Sequence, residues 1–115
     1  MNKRIKKKWL KALRGGKYEQ ATGSLRNGDK FCCLGVLCDI HRIGGGGRWS
    51  IGAYVLKNGH EDYAGLPDEV AEWAGLVGAF AQLPTECTSK KDLAAANDQG
   101  GRSFKQIANL IERWL

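Results

Sequence analysis

Apolar and polar positions along the chain recur with a period in several separate stretches. From Asn2 to Arg14, Ile5, Trp9, Ala12 and Leu13 share one side of a helical wheel while Lys6, Lys7, Lys8, Lys11 and Arg14 occupy the other, which predicts an amphipathic helix stopped by Gly15 and Gly16. At the other end, "SFKQIANLIERWL" sets Phe104, Ile107, Ala108, Ile111, Trp114 and Leu115 against Lys105, Gln106, Asn109, Glu112 and Arg113, with Ser103 and Gln106 in a capping-box pattern. "LPDEVAEWAGL" predicts a third helix. Pro67 suits its first position, Asp68 and Glu69 complement the dipole, Gly75 supplies a left-handed end, and Val70, Trp73 and Ala74 face the core.

Two stretches alternate with period two. "KYEQATGSLRNGDKF" predicts a short strand around Tyr18 to Arg26, then a type I′ turn at Asn27-Gly28. In "RWSIGAYVLKNG", Trp49, Ile51, Ala53 and Val55 alternate and end at a second Asn-Gly, which predicts a strand or hairpin arm. The four glycines Gly44 to Gly47 read as a flexible connection between elements. The expected fold is therefore α+β: a single small domain, residues 1–115, with about four helices packed on a small antiparallel sheet.

Composition supports folding. With 115 residues, 43% of them hydrophobic, and four tryptophans, the chain can build one core and bury roughly two thirds of its unfolded surface. No apolar run approaches the roughly 18 residues that span a bilayer, and the charged N-terminus lacks a signal peptide's apolar core, so no membrane association and a cytosolic setting are expected. The net charge of +6 is localised: residues 1–17 hold eight Lys or Arg and no acid, leaving ten bases against twelve acids elsewhere. Such a run reads first as a solvated helix back and second as a footprint for phosphates, with Lys6, Lys7, Lys8, Lys11 and Arg14 as the nucleic-acid contacts.

"KFCCLGVLCDIH" holds three of the four cysteines. If Phe31 to Ile43 is helical, only Gly35, Asp39 and Arg42 form a polar wedge, Asp39 and Arg42 can pair, and Cys32, Cys33 and Cys38 point in separate directions. If it is a strand, Cys32 and Cys38 share a face but lie about 20 Å apart. Neither geometry gathers zinc ligands, so no metal is expected and the thiols read as core. A nucleophilic Cys33 or Cys38 with His41 or His60 would need a depressed pKa, which apolar neighbours oppose. His41 is expected at a helix end favoured by the dipole. No catalytic motif and no cofactor fingerprint is present, so no catalytic residue is assigned and no cofactor is implied.

One polar constellation remains. In "ANDQGGRSF", Asn97, Asp98, Gly100, Gly101 and Arg102 lead into the helix start at Ser103, where backbone N–H groups and Arg102 suit an anion. Tyr18, Gln20 and Arg26 form a second polar group. The expectation is one pocket in which Arg26 and Arg102 hold a small anionic ligand while Asn97 and Asp98 read its polar groups, set between subunits of a homo-oligomer.

The chain resembles a family of small proteins of tailed bacteriophages and prophages that open with W-x-x-A-L-R-S-G-x-Y-x-Q, continue with F-C-C-L-G-V-L-C-D and close with L-N-D-x-G-x-S-F-x-x-I-A-x-x-I-E. The matching stretches here are "WLKALRGGKYEQATGSLRNGDKFCCLGVLCDIH", "LPDEVAEWAGL" and "ANDQGGRSFKQIANLIERWL", with Ala96 in place of leucine and an added glycine near Gly101. The resemblance implies a phage protein acting in the cytoplasm of the bacterial host. By analogy with small phage proteins lacking catalytic motifs, it implies counter-defence: sequestering a nucleotide immune signal or inhibiting a host defence protein. A nucleic-acid-binding accessory protein is the alternative, and a small cysteine-dependent enzyme a distant one.

Overall fold

The computed structural model describes residues 1–87, 91–99 and 101–115. In chain order its elements are α1 (Lys3–Arg14), β1 (Glu19–Gln20), β2 (Arg26–Asn27), β3 (Lys30–Phe31), α2 (Cys33–Ile43), β4 (Gly47–Ser50), β5 (Ala53–Leu56), β6 (Glu61–Asp62), α3 (Asp68–Ala74), α4 (Leu93–Asp98) and α5 (Phe104–Trp114). The fold is α+β, with five helices rather than four among the described residues.

The long helices follow from their periods and caps. Asn2 opens α1 by accepting the Ile5 N–H at 3.0 Å, and Ile5, Trp9 and Leu13 are buried along it. At α5 the capping box is complete: Gln106 N–H donates to Ser103 Oγ at 3.2 Å, and Ser103 N–H donates to Gln106 Oε1 at 2.9 Å. Phe104, Ile107, Ala108 and Ile111 are buried, and α1 packs on this face. Helix α2 lies behind α1, and the Trp9 indole N–H donates to the Cys33 carbonyl at 2.9 Å. Gly75, with φ of 74°, ends α3 in the left-handed conformation.

The expected single antiparallel sheet is instead two small sheets. One has the order β1-β3-β2, with β1 parallel to β3 and β2 antiparallel to it; the other, β4-β5-β6, is antiparallel throughout. The expected strand from Tyr18 to Arg26 is broken, because the chain bends away after Gln20 and rejoins only at Arg26. Its turn shifts by one residue: Asn27 pairs with Lys30, so Gly28 and Asp29 form the loop and of these only Gly28 has a positive φ, as a II′ turn requires.

The period-two reading through Ile51 is also corrected. Trp49 pairs with Tyr54 and Ser50 with Ala53, so Ile51 and Gly52 are a two-residue hairpin tip and not strand. Both have positive φ, 46° and 83°, the I′ pattern. The second half of the glycine run is packed rather than a free connection: a Cβ on Gly46 would lie 2.1 Å from the His41 ring, and Gly47 already belongs to β4, while Gly44 and Gly45 are exposed. Helix α4 was not expected, since six residues rich in alanine are too short to show a period; Asp92 caps it by accepting the Ala95 N–H at 2.8 Å.

Candidate functional site

The tips of the two hairpins meet. A Cβ on Gly52 would lie 3.2 Å from the Arg26 carbonyl oxygen, and the space between the tips is a cleft of about 400 Å³ lined by Arg26, Asn27, Gly28, Trp49, Ile51 and Gly52. The Arg26 guanidinium lies 4.9 Å from the Phe31 ring centroid and 5.5 Å from that of Trp49. Its Nε donates to the Gly28 carbonyl at 2.7 Å. Although the side chain is only 28% exposed, its terminal nitrogens make no hydrogen bond among the described residues; the nearest carboxylate, on fully exposed Asp29, is 3.9 Å away. At the lip, Ile51 is 98% exposed, a β-branched residue held at a φ that such residues avoid.

A buried aspartate sets the cleft wall. The Trp49 indole N–H donates to Asp39 Oδ1 at 2.9 Å, Arg42 Nε donates to the same oxygen at 2.6 Å, and the Tyr18 hydroxyl donates to Oδ2 at 2.6 Å. Burial alone would push the Asp39 carboxyl up; the hydrogen bonds from Arg42, Tyr18 and Trp49, with the charge of Arg42, outweigh it and hold the carboxyl below its ordinary value. Burial raises the Tyr18 phenol, and its bond to Asp39 raises it further. Edge-to-face contacts run from Tyr18 to Phe31 at 5.2 Å and from Phe31 to Trp49 at 5.6 Å. Tyr18 and Arg26, both singled out in the sequence, therefore flank one ring. Trp49 and Asp39 were not singled out as site residues, and only the Asp39–Arg42 spacing hinted at a partner for the acid.

The other sequence-selected residues lie elsewhere. Asn97 is 1% exposed and fully engaged: Oδ1 accepts from Cys33 N–H at 3.2 Å and from Gln20 Nε2 at 2.9 Å, while Nδ2 donates to the Ala21 carbonyl and to Asp98 Oδ1, each at 2.8 Å. Gln20 also donates to the Arg102 carbonyl at 2.7 Å. Asn97 and Asp98 form the end of α4, not a loop, and Ser103 is committed to its capping box. Gly101 is exposed with φ of 59°, and Gly100 lies outside the described residues. Arg102 lines a separate groove of about 480 Å³ with Gln106, Asn109, Arg113 and Trp114. Among the described residues, Arg26 and Arg102 line different clefts, and Gln20 and Asn97 spend their polar atoms joining β1, α2 and α4.

The four cysteines are free and buried. Cys32 caps α2 through Sγ, which accepts the Gly35 N–H at 3.4 Å. Burial pushes the Cys32 thiol up to about 11 and those of Cys33 and Cys38 well above their ordinary value. Among the described residues no three His, Cys, Asp or Glu side chains gather as a metal site. His41 stands in the last turn of α2, as expected, but is buried there: burial lowers its pKa, and the charge of Glu69 at 3.5 Å only partly offsets this. Its Nδ1 lies 2.6 Å from the Tyr54 hydroxyl.

On α1 the cations divide. Lys6 Nζ donates to the Glu112 carbonyl at 3.2 Å, and Arg14 pairs with Glu112 at 2.6 Å and with Asn109 at 3.0 Å, so these two brace α1 against α5. Lys7, Lys8 and Lys11 are exposed, and Lys3 and Arg4 join them on the same helix. Among the described residues no helix is long and apolar enough to cross a membrane.

In comparisons with known proteins, residues 1–115 match a family model described as "Domain of unknown function (DUF8296)". No curated protein and no solved structure matches.

Proposed function

The chain belongs to the DUF8296 family, and we propose, from its resemblance to small phage proteins and from the cleft itself, that it is a non-enzymatic phage accessory protein that sequesters a small nucleotide-like anion between its hairpin tips. Arg26 carries this reading. A guanidinium held over two rings, its terminal nitrogens free of hydrogen bonds among the described residues and paired only at 3.9 Å with exposed Asp29, lines a cleft of ligand size and is pre-organised for phosphate. Trp49, held by its hydrogen bond to Asp39, adds an aromatic wall to the cleft, and Ile51 adds an apolar lip. The raised thiols of Cys32, Cys33 and Cys38 weigh against the cysteine-dependent enzyme.

In the setting that the phage resemblance implies, the ligand is a host immune nucleotide and sequestration is the counter-defence. Calorimetry against cyclic dinucleotides and cyclic ADP-ribose isomers tests it. Charge-assisted bonds contribute about 1.5 to 3 kcal/mol, so Arg26→Ala is expected to weaken binding roughly 10- to 150-fold. Arg102→Ala, in the other groove, is expected to leave affinity unchanged. If the wild type binds none of these nucleotides, the sequestration reading fails and inhibition of a host defence protein takes its place.

A further inference from the structure

Every exposed residue of α1 is a cation: Lys3, Arg4, Lys7, Lys8, Lys11 and Arg14. Of these, only Arg14 makes an ion pair or side-chain hydrogen bond among the described residues. The helix holds no acid, and its like charges stand three and four residues apart, where they oppose one another. Lys3 and Arg4 also sit at the end where the helix dipole disfavours positive charge. An arrangement adverse to the free helix on both counts is relieved by a partner with many negative charges.

We infer that this face of α1 binds the phosphate backbone of nucleic acid without reading sequence, as a surface separate from the Arg26 cleft. An acidic protein is the poorer fit, because protein interfaces centre on apolar and aromatic anchors and are depleted in lysine, and this face has no exposed apolar side chain. An anionic membrane is a poorer fit still: the apolar side that would enter lipid, Ile5, Trp9 and Leu13, is buried in the core. Length agrees as well. A helix of 12 residues spans about 18 Å, the axial length of about five phosphates on one strand at 3.4 Å each.

Fluorescence anisotropy of the full chain with a labelled 20-base-pair duplex, titrated in salt, tests the inference. Five phosphate contacts give a slope of log affinity on log salt near −4.5, or roughly a 500-fold loss between 50 and 200 mM salt. The triple reversal Lys3→Glu, Lys7→Glu, Lys11→Glu is expected to abolish measurable binding while the thermal midpoint stays level or rises. The milder set Lys3→Gln, Lys7→Gln, Lys11→Gln, which tests the same point if the reversal does not fold, should reduce the slope by about three. Two unrelated duplex sequences should bind alike. The inference is overturned if the wild type does not bind duplex at 50 mM salt, if the glutamine set keeps the wild-type affinity and slope, or if polyglutamate is bound more tightly than the duplex.

Discussion

Gly35 and Leu25 meet backbone to backbone: a Cβ on Gly35 would lie 1.9 Å from the Leu25 carbonyl oxygen. That carbonyl also accepts the Cys32 N–H at 3.1 Å, so α2 starts where the chain entering β2 presses on it. Gly35 reads in the sequence as part of a polar wedge; in the fold it is a point of close approach. Gly35→Ala would improve helix propensity by about 1 kcal/mol, but the obstacle is backbone and cannot swing aside. The expected net result is a loss of about 2 kcal/mol or more, seen in urea unfolding as a lower midpoint with little change in slope.

Asn97 and Asp98 are neighbours with unequal consequences. Asn97→Ala strands the buried Cys33 N–H and Ala21 carbonyl, at about 1 to 3 kcal/mol for each unpaired group, so a severe loss of stability is expected. Asp98→Ala takes one acceptor from the Asn97 amide at an exposed position where water can replace it, so a smaller loss, about 0.5 to 1.5 kcal/mol, is expected. Equal effects in thermal melts would contradict Asn97 as the joint between α4, α2 and β1.

Acid should weaken the fold in two stages. Because burial lowers the His41 pKa in the folded state, the unfolded chain takes the proton more readily; stability is complete above the ordinary value of about 6.5 and declines as pH falls from there toward the folded value. Asp39, also lowered, supplies stability present above about pH 4 that is lost as pH falls toward its folded value. His41→Gln keeps an acceptor for the Tyr54 hydroxyl but cannot take a charge. It is expected to be less stable at pH 7 and to show no further loss between pH 7 and 5, and unfolding curves across that range decide it.

Thiol chemistry separates packing from reactivity. With Cys32, Cys33 and Cys38 buried and their thiols raised, the native protein at pH 7 should leave these three untouched by Ellman's reagent, and denaturant should release all four thiols. Cys38→Ser should cost about 1 to 3 kcal/mol, since Cys38 has no hydrogen-bond partner among the described residues. Cys33→Ser should cost less, because Cys33 Sγ already lies 3.6 Å from the Leu93 carbonyl, which can accept from a hydroxyl. Rapid modification of native Cys33 would reopen a catalytic role.

The sequence by itself determined α1, α3 and α5, the burial of the cysteine segment and the α+β class. Helical periods and caps such as Ser103–Gln106 or Gly75 act within four residues, so the chain states them locally. It also located the excess charge, because that lies on one contiguous segment. Only the tertiary structure decided the rest. Strands of two to four residues are too short to carry a period, so the alternation through Ile51 concealed a turn, and the break between β1 and β2 left no mark. Asn97 looked like a ligand group and became a joint because Gln20, 77 residues away, and Cys33, 64 away, consume its oxygen. Arg26 and Trp49 came together because two hairpins that pair within separate sheets bring their tips to one place. A polar side chain's role depends on whether the fold has already used its donors and acceptors, and contacts so distant in sequence leave no periodic trace by which to foresee that.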